Sequence, residues 1–97
     1  MPKNSFKSNL LDIHMMQEMA APKLFRKTNG DHYQYLYAVY EGDIVTWLTL
    51  TDQADLRDAR KDTRQEFEDM IFNENWNEDI NTPCAVNGKR VEIKRNQ

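Results

Sequence analysis

Ninety-seven residues suffice for one domain with one modest core, so residues 1–97 read as a single domain. Hydrophobic residues at 39% and charged residues at 30% exclude an intrinsically disordered chain. A net charge of −3 excludes a polyanion or membrane-surface binder held by charge alone.

The chain opens on a predicted helix, Ser5 to Ala21. Ser5 or Ser8 can cap it, Pro22 closes it, and Phe6, Leu10, Leu11, Ile13, Met15 and Met19 form a broad apolar sector. Asp12, His14, Gln17 and Glu18 interrupt that sector, so it lacks the continuous apolar core of a signal peptide. No run in the sequence approaches the ~20 apolar residues of a membrane span.

A three-stranded antiparallel meander is expected next: Lys23–Lys27, His32–Tyr40 and Ile44–Thr51, rich in β-branched and aromatic residues. Asn29-Gly30 reads as a type I′ turn pair. With a loop of Glu41-Gly42-Asp43, Leu36, Ala38 and Tyr40 share a face with Ile44, Thr46 and Leu48. The other face then gathers Tyr33, Tyr35, Tyr37, Val45 and Trp47. A two-residue turn mixes these sets, and the separation of aliphatic from aromatic residues favours the longer loop.

Thr51 to about Glu74 reads as a long amphipathic helix. On a wheel of about 100° per residue, Leu56, Ala59, Thr63, Phe67, Met70 and Ile71 make a core face. Asp52, Asp55, Asp58, Asp62, Glu66 and Asp69 make an acidic stripe beside it. Thr63-x-x-Glu66 has the form of a capping box and leaves open a break near Lys61. Trp76 follows in an acidic segment with Glu74, Glu78 and Asp79, either docked on the core or exposed as an anchor. The tail reads as a hairpin in which Cys84 and Val86 pair with Val91 and Ile93. The expected fold is thus α+β: N-terminal helix, three-stranded antiparallel meander, long amphipathic helix, C-terminal β-hairpin.

Function is expected to be non-catalytic binding. No phosphate loop, nucleophile elbow or zinc motif accompanies the carboxylates, so an enzyme, a cofactor and a metal are not expected. His14 and His32 lack metal-ligand spacing. The single cysteine, Cys84, permits no internal disulfide and points to a reducing, cytoplasmic setting. Between Asp52 and Asp79 the net charge is −6, against +3 elsewhere. Carboxylates one helical turn apart, about 5.4 Å, approach the spacing of phosphates along a nucleic-acid strand. The leading expectation is therefore a protein partner with a basic surface, met by the stripe and by Glu74, Glu78 and Asp79. An acidic, nucleic-acid-mimicking inhibitor of a nucleic-acid-handling protein, of antirestriction or anti-CRISPR type, has this size and charge. The alternatives are a single-stranded nucleic-acid or RNA-binding regulator using Tyr33, Tyr35, Tyr37 and Trp47, and an oligomeric assembly subunit.

Overall fold

The computed structural model describes residues 22–94. The predicted helix over Ser5–Ala21 lies outside the described residues. Strands dominate, in the order β1 (Pro22–Asn29), β2 (His32–Glu41), β3 (Ile44–Leu50), β4 (Gln53–Asp55), β5 (Arg60–Thr63), α1 (Arg64–Asn73), β6 (Asn77–Glu78), β7 (Cys84–Asn87) and β8 (Arg90–Ile93). A 3-10 turn at Leu56–Asp58 separates β4 from β5. They form two antiparallel sheets, one ordered β5-β3-β2-β1-β6 and one ordered β4-β8-β7.

The expectation of an α+β fold with a long helix from Thr51 is overturned: strand accounts for 58% and helix for 18% of the described residues. The periodicity of the aspartates imitated a helix, but aspartate is a poor interior helix residue because its carboxylate competes for local backbone donors. Asp55 does so here: its carboxylate accepts from the Arg57 amide at 2.8 Å and caps the 3-10 turn. Residues 53–55 instead extend the small sheet beside β8, and Arg60–Thr63 extends the large sheet beside β3. The helix begins only where the capping box places it. The Thr63 hydroxyl accepts from the Glu66 amide, and the Glu66 carboxylate accepts from the Thr63 amide. Thr63→Ala is expected to lower stability by about 1 kcal/mol, seen as a lower urea midpoint at unchanged slope.

The register between β2 and β3 also departs from expectation. Glu41 pairs with Ile44, so the loop is Gly42-Asp43 alone. Gly42 has φ +64°, which suits the first loop position of a type II′ turn and is strained for any other residue type. The first hairpin likewise pairs Asn29 with His32, leaving Gly30-Asp31 as its loop and Asn29 outside it.

This register gives the large sheet two apolar faces. On one, Leu24, Tyr35, Tyr37, Leu48 and Leu50 pack against Val91 and Ile93 of the small sheet. On the other, Phe25, Leu36, Ala38, Val45 and Trp47 pack against Phe67 of α1 and Trp76. β2 is buried on both faces from Tyr35 to Ala38, so ring content was not a guide to its register. The molecule has three layers: small sheet, large sheet, helix.

Candidate protein-binding surface

The helix layer carries a net acidic charge. From Arg64 to Trp76, the helix and the turn that returns the chain to the core, there are four acids and one base, a net of −3. The opposite layer, Gln53–Asp55 with Cys84–Lys94, has three bases and two acids, a net of +1. The segregation legible in the sequence therefore survives as a difference between layers, not as a stripe along one helix.

The predicted acids divide into those used by the fold and those facing outward. Asp55 is clamped by the Arg57 guanidinium, whose hydrogen bonds at 2.6 to 3.1 Å and those from its amide hold the carboxyl down at about 2. Asp62 accepts the Trp47 indole N–H at 2.8 Å. Glu66 belongs to the helix cap. Glu74 accepts the Trp76 indole N–H at 3.1 Å and lies 3.6 Å from the Lys27 ammonium. Asp79 is buried and organises the turn that follows it, accepting from the Asn81 and Thr82 amides and the Thr82 hydroxyl. Asp52 sits in the turn before β4, and its carbonyl accepts the Ile93 amide. Asp58 ends the 3-10 turn, while Asp69 is exposed on α1 and Glu78 is exposed on β6 at the edge of the large sheet.

Helix geometry then fixes what α1 presents. Phe67 faces the sheet, so residues about half a turn away, Gln65, Asp69 and Phe72, face solvent, with Glu68 beside them. Phe72 is 82% exposed, a large ring set among carboxylates. An aromatic ring is a typical energetic anchor of a protein interface, and polar or charged groups around it form the rim. Sequence reasoning missed Phe72, although its position was legible: it lies five residues from Phe67, about 140° around any helix that holds both, so a core-facing Phe67 sends Phe72 outward wherever the helix starts.

The helix ends in a Schellman motif. Asn75 takes a left-handed φ of 63°, its amide donates to the Phe72 carbonyl, and the Trp76 amide donates to the Ile71 carbonyl at 3.0 Å. This stop turns Trp76 into the core beside Ile71, so Trp76 is a packing residue and not an exposed anchor.

The aromatic sheet face expected from Tyr33, Tyr35, Tyr37 and Trp47 is not brought together. Tyr35 and Tyr37 are buried between the sheets, and burial raises the Tyr37 hydroxyl pKa. Trp47 lies on the opposite face. Tyr33 is exposed, with the Arg26 guanidinium 4.3 Å above its ring. Beside the helix a groove of about 530 Å³ is lined by Leu36, Trp47, Met70 and Trp76, with Lys27 and Arg60 among its charges. Asp58 and Glu74 line it too, so its formal charge cancels and it offers no basic track for phosphates. Comparison with protein-family models, with curated proteins and with solved structures yields no match.

Among the described residues, no group of His, Cys, Asp and Glu is arranged to hold a metal, and no helix is long and apolar enough to cross a membrane. Cys84 is half-buried, and burial raises its thiol pKa, which disfavours the nucleophilic thiolate.

Proposed function

We propose that this protein is a non-catalytic binding protein that engages a basic surface on a protein partner through the outer face of α1. The observation that carries this reading is Phe72, exposed on a helix layer of net −3. The ring supplies an anchor, and Glu68 and Asp69 supply charge complementary to Lys and Arg on the partner. A nucleic-acid-handling protein, whose phosphate-reading channel is basic, is a partner class that fits this charge. What supports that choice is the acidity of a whole layer. The row of phosphate-spaced carboxylates along one helix does not form.

The test uses the partner recovered by affinity capture from the source cell. Phe72→Ala is expected to weaken its affinity by about 2 kcal/mol. Joint Glu68→Lys and Asp69→Lys should weaken it further at low salt than at high salt, while Tyr33→Ala leaves it unchanged. Affinity unaltered by both sets of changes, in proteins with wild-type melting curves, overturns the reading.

A further inference from the structure

We propose that two copies of this chain pair through the outer edge of β7, antiparallel and centred on Ala85. The surface is separate from the outer face of α1 and lies in the opposite layer.

The hairpin backbone sets up this edge. Asn87 pairs with Arg90, Val86 with Val91, Ala85 with Glu92 and Cys84 with Ile93. The residues flanking a two-residue hairpin loop exchange hydrogen bonds, and bonded and non-bonded pairs then alternate along the ladder. Asn87–Arg90 and Ala85–Glu92 are therefore the bonded pairs. The Lys94 amide, donating to the Pro83 carbonyl at 2.8 Å, continues the series. The Ile93 amide points the other way, to the Asp52 carbonyl at 2.8 Å. Hence the N–H and C=O groups of Cys84 and Val86 point away from β8. Among the described residues no strand lies on that side.

The other sheet edges are blunted. β5 carries Arg60, Lys61 and Asp62 in four residues, β6 is two residues long and contains Glu78, and β4 runs after three residues into the 3-10 turn. Charge, shortness and irregular backbone are the usual protections of an edge strand. β7 reads Cys-Ala-Val-Asn, with no charged residue, and Val86 is 47% exposed.

The open groups are also self-complementary. Cys84 and Val86 flank Ala85. When the strand meets its own copy antiparallel about Ala85, Cys84 lies opposite Val86 of the second copy and Val86 lies opposite its Cys84. Each pair exchanges two backbone hydrogen bonds. Ala85 meets its own equivalent in the close, non-bonded position between them, where a methyl group is easily accommodated. The antiparallel arrangement sends the two basic tips, Lys89 and Arg90 of each copy, to opposite ends of the joint sheet. Like charges are thereby kept apart. A ladder this short makes a concentration-dependent dimer, not an obligate one.

The test is amide hydrogen exchange by NMR on the full chain, in dilute and in concentrated solution. The Cys84 and Val86 amides should exchange quickly when dilute and slow by about tenfold when concentrated, while Ala85 and Asn87 stay protected throughout. The sedimenting mass should rise together with this protection from 11.5 kDa towards twice that value. Val86→Lys, a change at an exposed position, should remove both concentration effects without altering the hairpin's own protection. Exchange at Cys84 and Val86 that is independent of concentration overturns the proposal. So does a rise in mass without protection at those two amides, which places the contact elsewhere. If Val86→Lys does not fold, the wild-type pattern alone decides, because only pairing at this edge protects Cys84 and Val86 while leaving Ala85 as it was.

Discussion

Phe67→Ala is expected to lower the unfolding free energy by about 3–5 kcal/mol, the largest effect of any single change considered. Phe67 is fully buried, and it is the only buried residue that α1 sends into the sheet. Its ring meets Phe25 at 5.8 Å, Tyr40 at 5.7 Å and Trp47 at 6.1 Å between centroids, mostly edge to face. Truncation removes the transfer energy of the ring and leaves a cavity walled by three aromatic rings that cannot close without moving the sheet. A helix of ten residues has little stability of its own in water, so α1 depends on this contact to stay folded. Against a typical domain stability of about 5–15 kcal/mol, the loss places the variant near the edge of folding. Urea titration followed by tryptophan fluorescence checks this, since Trp47 and Trp76 report from the same core. Phe67→Leu should recover much of the loss. A Phe67→Ala variant within 1 kcal/mol of wild type, by the measure of about 3–5 kcal/mol for such truncations, would contradict the packing described.

Asp79→Ala is expected to cost about 1–3 kcal/mol, because it leaves the Asn81 and Thr82 amides and the Thr82 hydroxyl without their acceptor. The same carboxylate makes stability depend on pH. Burial by itself raises its pKa, but the Thr82 hydroxyl, the two amides and the Arg26 guanidinium at 3.8 Å together hold it below the ordinary carboxylate value. A carboxylate with a lowered folded pKa stabilises fully above its unfolded pKa and loses that contribution as pH falls through the folded value. Wild-type stability should therefore fall on the acid side of the ordinary carboxylate range more steeply than that of Asp79→Ala. Parallel acid profiles for the two proteins would show that Asp79 contributes nothing through its charge. Asp79→Asn, which keeps an acceptor oxygen but no titratable group, should lie between the two in stability near neutral pH and share the acid slope of Asp79→Ala.

What was legible in the sequence follows which residues act locally. The three strands from Pro22 to Leu50 and the final hairpin were visible because their turns and β-branched runs are short-range signals. The pairing of Cys84 with Ile93 and of Val86 with Val91 came out as expected. Thr63 and Glu66 announced the helix start for the same reason. The segment from Asp52 to Asp62 was misread because its role is set by distant partners. Ala54 pairs with Val91, and Asp62 pairs with Val45 and takes the Trp47 indole N–H. The nine acids proposed as one surface were scattered accordingly. Five of them serve caps, indoles, a turn or a neighbouring arginine, whereas the outward position of Phe72 follows from its five-residue spacing to Phe67 alone.

The layered arrangement has a consequence for how the molecule meets a charged partner. Two sheets and a helix stacked at about 10 Å per layer put a net of −3 on the helix side and a net of +1 on the small-sheet side of the described residues. The described residues are therefore unevenly charged across the layers. If the proposed partner presents a basic surface, this unevenness turns the helix layer towards it during diffusional approach, and added salt slows encounter more than it speeds departure.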